Sequence, residues 1–248
     1  MIDSPPLICR VMVGNAGLEF DSVDSRVMTL SQIIEDDKKY GVMTPANGEY
    51  FTWAVLNEDK EMTVKEVEKA VQFSQKRWRL YGDLPKFKRV DKDFTGVIDF
   101  RIEFRTVESD PDQKLTENTV MYHYYPINNI NHPLRGLCVV NKKYFFTSHG
   151  EPVSGAFLAS KGFQVQFLDG HYESLDFDTV YGHELGHGLG LPHDPESCNM
   201  MAFRVDLMVE YPSERDQARI IAKAGARRMS AWWRLRWLRW LKGASDRR

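Results

Sequence analysis

The sequence predicts an α+β domain, with helices packed on a mostly continuous sheet. Three observations point there. Ile98, Phe100, Ile102 and Phe104 alternate with Asp99, Arg101, Glu103 and Arg105, the period of a half-buried strand. Val64, Val67, Ala70, Val71, Ser74 and Trp78 instead keep the three/four spacing of an amphipathic helix. The apolar segments follow in the order strand, long helix, several strands, helix, helix, which belongs to the α+β class.

Taken in order, residues 1–46 mix short apolar pieces (Leu7–Val13) with polar, acidic ones (Glu35–Lys39). They read as an N-terminal extension with little core of its own. The stretch from Thr44 to Gly48 is a turn or linker, since it holds Pro45, Asn47 and Gly48. Tyr50–Leu56 is aromatic and β-branched and reads as a strand. Thr63 and Glu66 form a capping box before the long helix, and Gly82 stops it. After the alternating strand, Glu108–Asn118 is a polar loop, and Thr119–Tyr125 and Leu137–Phe146 are two more strands. Ser148–Lys161 reads as irregular and Phe163–Leu168 as a short strand. The next helix has Asp176 or Asp178 as N-cap, carries Tyr181–Leu189 and breaks at Gly190. Ser213, with Asp216 three residues on, starts a last helix that ends near Ala224.

A chain of 248 residues with 42% hydrophobic content suits one domain with appendages and a packed core. Its formal charge of −2 gives no whole-chain reason to bind a polyanion. Residues 226–248 hold eight basic side chains and one acidic, a net +7, so the remainder carries −9. Three widely spaced cysteines (Cys9, Cys138 and Cys198) are not a disulfide framework and are compatible with a reducing compartment. No basic, then apolar, leader opens the sequence, and no apolar run approaches eighteen residues, so neither a secretory signal nor a transmembrane helix is expected.

The chemistry concentrates in HELGHGLGLPH, residues 183–193. Positions i and i+4 share one helix face, so His183 and His187 can offer imidazole nitrogens to a single ion. Neutral imidazole suits Zn²⁺ at about 2.0–2.1 Å. His193 lies six residues beyond His187, out of reach of a continuing helix. Gly190 tolerates positive φ and can turn the chain back, and Pro192 stiffens the return. Three ligands leave a fourth position open, as in a catalytic zinc site. Glu184, beside the first ligand, is placed to act as general base on a water that zinc acidifies to a pKa of about 7.

The run through Asp194, HELGHGLGLPHD, resembles the extended zinc signature of the metzincins. Those proteins place a methionine turn beneath the zinc. Here Cys198-Asn199-Met200-Met201 follows at once, and Met201, eight residues after His193, is the choice for that residue, with Met200 as alternative. The short spacing is similar to that of the matrixins, and the segment order makes the likeness extend over about residues 47–225. The resemblance implies a zincin fold: a mixed, mostly five-stranded twisted sheet with an active-site helix, a second long helix and a C-terminal helix. It implies a zinc endopeptidase acting on extended peptide or protein substrates, with Tyr122–Pro126 resembling the edge strand on which substrate pairs. Three features depart from the matrixin pattern. Asp194 stands where Ser or Thr is usual, as in adamalysins, and no proline follows the methionine turn. His123 falls where matrixins use a structural-zinc histidine, but residues 136–141 offer no histidine beside it, so a strand histidine is favoured over a second zinc. The calcium loops of matrixins are not recognisable.

Two regions lie outside this likeness. Matrixin zymogens block their zinc with a pro-segment cysteine. Cys9 is the only thiol before the catalytic region, so residues 1–46 are a candidate pro-segment, but the usual motif around it is missing and a structural thiol is the plainer reading. In the tail, Trp232–Lys242 interleaves tryptophan with arginine. It suits an anionic membrane surface, a nucleic acid less well, or docking onto protein. The rival functional class is an inactive metzincin-like binding protein anchored by this tail. Localisation is open, since metzincins commonly act outside cells while no export signal is visible.

Overall fold

The computed structural model describes residues 8–12, 34, 37, 40–57, 59, 62–82, 84–116, 119–127, 129–144, 146–147, 175–194, 200–201 and 212–224. The expected strand Phe163–Leu168, the stretch Ser148–Lys161, Cys198 and the tail 226–248 lie outside these residues.

The capping box forms as the sequence suggests. Thr63 N and Oγ1 both donate to Glu66 Oε2 at 2.8 Å, and Glu66 N donates back to Thr63 Oγ1 at 3.3 Å. They precede α1 (Val64–Gly82), whose apolar stripe of Val67, Ala70, Val71 and Trp78 is buried. The sheet strands are β2 (Tyr50–Val55), β3 (Lys86–Arg89), β4 (Phe100–Arg105), β5 (Thr119–Tyr124) and β6 (Leu137–Asn141). β3, β2, β4 and β6 run parallel, and β5 is antiparallel to β6. Phe100, Ile102 and Phe104 are buried while Arg101 and Glu103 are half-buried, so the alternation along β4 marks its two faces. The strand begins two residues later than its pattern. Asp99 is instead a buried bracket, its carboxylate accepting from Ala46 N, Thr52 N and Arg135 Nη2 at 3.0 to 3.1 Å.

Two further differences concern the strands. The single strand expected over Leu137–Phe146 is split by a turn. Asn141 Oδ1 accepts from Lys143 N and Asn141 O from Tyr144 N, the local bonding by which Asn competes with a sheet ladder. The chain then makes β7 (Phe146–Thr147), parallel to β8 (Leu175–Asp176). The other is an addition, a strand within the N-terminal extension that pairs with the sheet. Ile8–Met12 forms β1, antiparallel to β5 with Ile8 opposite Tyr124 and Cys9 opposite His123. The sheet order is therefore β1-β5-β6-β4-β2-β3, a sixth strand beside the expected five. The strand resembling a substrate edge is not at the edge. A bare edge exposes a row of unpaired N–H and C=O groups, and β1 satisfies them. All six residues of β5 are buried.

Two helices cover the side of the sheet that carries the main core. α2 (Phe177–Gly188) packs against α1, where Ser74 Oγ donates to Asp178 O at 2.6 Å and Trp78 Nε1 to Gly182 O at 2.7 Å. Between them and the sheet lie Phe51, Trp53, Phe100, Ile102, Phe104, Phe177, Tyr181 and Leu185. Burying each such side chain contributes roughly 1.5–3 kcal/mol, so this layer holds α2 where it stands. α3 (Glu214–Ala224) closes the domain against α1. Among the described residues, no helix is long and apolar enough to cross a membrane.

Candidate metal centre

α2 starts on Asp176, whose Oδ1 accepts from Asp178 N at 3.0 Å, so of the two carboxylates weighed as cap it is Asp176 that serves. The helix is buried along most of its length. Its last two turns carry His183 and His187. Leu189 N closes the ladder on Leu185 O at 2.9 Å, and Gly190 follows at φ +103°. A Cβ on residue 190 would collide with the Lys223 side chain and lie 2.5 Å from Gly41 O. The turn thus needs glycine twice, for its left-handed backbone and for the close passage of another chain segment. Leu191–His193 then return towards the helix, and His193 reaches the other two imidazoles.

The three rings converge. His187 Nε2 lies 2.8 Å and His193 Nε2 3.2 Å from His183 Nε2. The other nitrogens decide what those contacts mean. His183 Nδ1 faces Met200 O at 2.7 Å, and His187 Nδ1 faces Leu191 O at 2.6 Å. A carbonyl only accepts, so in both rings Nδ1 carries the proton and Nε2 presents a lone pair. Burial, followed by the neighbouring imidazoles, pushes both rings well below the ordinary histidine pKa, so neither becomes a cation to bridge them. Burial and the charge of Arg219 push His193 down to about 4. Buried lone pairs this close repel one another unless a cation lies between them. Nitrogens about 2.05 Å from one tetrahedral zinc would stand about 3.3 Å apart, close to the spacing found. The donor set fits zinc, and among the described residues it is the one group of three side chains able to hold a metal.

Glu184 is fully buried on the same turn, one position after His183 and three before His187. Burial and then the Glu184 charge push the Cys138 thiol well up, which makes that buried cysteine a packing group rather than a nucleophile. Met200 and Met201 are both buried beneath α2. Met200 supplies the carbonyl for His183, while the Met201 thioether lies against Gly186, where any Cβ would displace it. Met201 O also accepts from Asp194 N at 2.8 Å. His123 stands apart from the three rings. Its Nδ1 donates to Tyr124 O at 2.7 Å, its Nε2 packs against Gly188, and burial lowers its pKa to about 4.

Several contacts around the three rings were not legible in the sequence. Tyr125, just past β5, sets its ring edge-on to His187 at 5.4 Å, and Tyr40 packs on Tyr125 at 4.6 Å. Asp194 accepts from Arg215 Nε at 2.6 Å and Arg219 Nη1 at 3.2 Å. Arg219 in turn grips Asp37. Asp216 was legible only as part of the box at Ser213. It also accepts from Met200 N at 3.0 Å and so ties α3 to the turn at Met200 and Met201.

A family model for the matrixins matches residues 46–220. That span takes in β2 to β6, all three imidazoles and most of α3. No curated protein sequence matches the chain. With most of its length matched and its three histidines gathered to hold zinc, the chain belongs to the matrixin family of metallopeptidases.

Proposed function

We propose that the protein is a zinc endopeptidase that cuts internal bonds of extended polypeptides, with His183, His187 and His193 as the metal ligands and Glu184 as general base. The observation that carries the reading is the convergence of three Nε2 atoms at 2.8 and 3.2 Å, with the lone pairs of His183 and His187 fixed by carbonyls behind the rings. Zn²⁺ held there supplies a Lewis acid with an open position for water, whose pKa falls to about 7. The chain's own residues do the rest. A Glu184 carboxylate oxygen takes the proton from the attacking water and delivers it to the amine nitrogen that leaves. Its burial keeps bulk solvent from that transfer. Met201 and Gly186 form the floor that seats α2, and the turn at Gly190 holds His193 in place.

The substrate strand is read from β5, whose C-terminal end brings Tyr125 against His187. The pairing of β1 on β5 supports this, because it is an extended segment laid antiparallel on that edge. On this reading residues 8–12 occupy the substrate's place, and residues 1–46 act as an inhibitory segment. The test is digestion of a diverse peptide library, with products mapped by mass spectrometry, with and without a chelator. Chelator-sensitive cuts at internal bonds are expected. A zinc-loaded chain that still cuts nothing once residues 1–12 are removed would favour the binding-protein reading and overturn this one.

A further inference from the structure

His183 and His187 take their positions from α2 and from the carbonyls behind them. His193 takes its position from a short loop, and both residues flanking it are held by one side chain. Arg219, fully buried on α3, donates through Nη2 to Pro192 O at 2.8 Å and through Nη1 to Asp194 Oδ2 at 3.2 Å. The far side of the same guanidinium is closed by Asp37. Nε donates to Asp37 Oδ2 and Nη2 to Asp37 Oδ1, each at 2.9 Å. Lys223 Nζ donates to Asp37 O, and Arg215 supplies a second cation to Asp194. A planar guanidinium can bind an acceptor on each side at once, whereas an ammonium is a single point charge.

We propose that Arg219 is the positioning residue for the third metal ligand, and that Asp37 completes the clamp from the N-terminal segment. Retention of the metal then depends on a residue outside the span that resembles the family. The clamp does not touch the reacting atoms. It fixes the backbone on either side of His193, so its loss lets the imidazole drift from the other two. Groups that orient metal ligands typically change affinity by about 10- to 100-fold when removed. The inference rests on the reading that His183, His187 and His193 bind zinc.

The test is zinc affinity by chelator competition, and the rate of zinc release, for the full chain and its Arg219→Met, Arg219→Lys and Asp37→Asn variants. Near-ultraviolet circular dichroism monitors folding. The expected result is an affinity about 10-fold lower or worse for Arg219→Met, with Arg219→Lys between it and the parent. Asp37→Asn should shift in the same direction by less, with faster release. A role confined to holding the fold together would lower the unfolding temperatures of the metal-free and zinc-loaded forms equally and leave affinity unchanged. Wild-type affinity in folded Arg219→Met, or in folded Asp37→Asn should Arg219→Met fail to fold, would overturn the positioning role. If the parent chain itself binds no zinc, the metal-site reading fails first and this inference with it.

Discussion

At φ +103°, Gly190 has a backbone that a residue with a Cβ adopts only under strain, and its surroundings leave no space for that atom. Gly190→Ala is therefore expected to cost roughly 2 kcal/mol in urea unfolding and to weaken zinc binding by shifting the loop to His193. Unchanged stability would contradict the need for glycine there. His123 gives a separate residue-scale expectation. Buried and neutral, it has a pKa of about 4, below the unfolded value of about 6.5. Above pH 6.5 neither state is protonated and no stability is lost. As pH falls from 6.5 towards 4 the unfolded chain takes up a proton that the folded chain refuses, so stability falls. His123→Leu should flatten the dependence of unfolding free energy on pH in that window by about 1.4 kcal/mol per pH unit, and an identical slope would contradict this. The three imidazoles were legible as a set because helical period and one glycine are local facts. Arg219 and Asp37 were not, since 182 positions separate them and neither has a sequence context that names its partner.

The elements that read clearly were those whose pattern repeats, namely α1 by its capping box and apolar stripe and β4 by its alternation. β1 was hidden because Ile-Cys-Arg-Val-Met is too short to show a period. What makes it a strand is the bare edge of β5, which lies more than a hundred residues away in sequence. The break after Asn141 was hidden for the opposite reason, a local side-chain bond interrupting an apolar run. If β1 occupies the substrate's place, a chain lacking residues 1–12 should bind peptide more tightly. The expected readout is a KM lowered by about tenfold or more with little change in kcat, a difference of about 1.4 kcal/mol in ground-state binding. This deletion retains Asp37 and its pairing with Arg219. An unchanged KM would show that β1 does not compete with substrate.

At the scale of the molecule, the sheet and α1 hold α2, the turn at Met200 and Met201 seats it from below, and α3 binds the loop that carries His193. Each part bears on where three imidazoles and one carboxylate stand. On the proposed function these groups, zinc included, hydrolyse peptide bonds with Glu184 moving the proton. The most direct measurement is kcat/KM on a cleaved peptide for the parent chain and Glu184→Ala at equal zinc occupancy, with zinc counted in both. One zinc in each and a loss of at least about 10²-fold in the variant are expected. Retained activity at full zinc occupancy would contradict that role of Glu184.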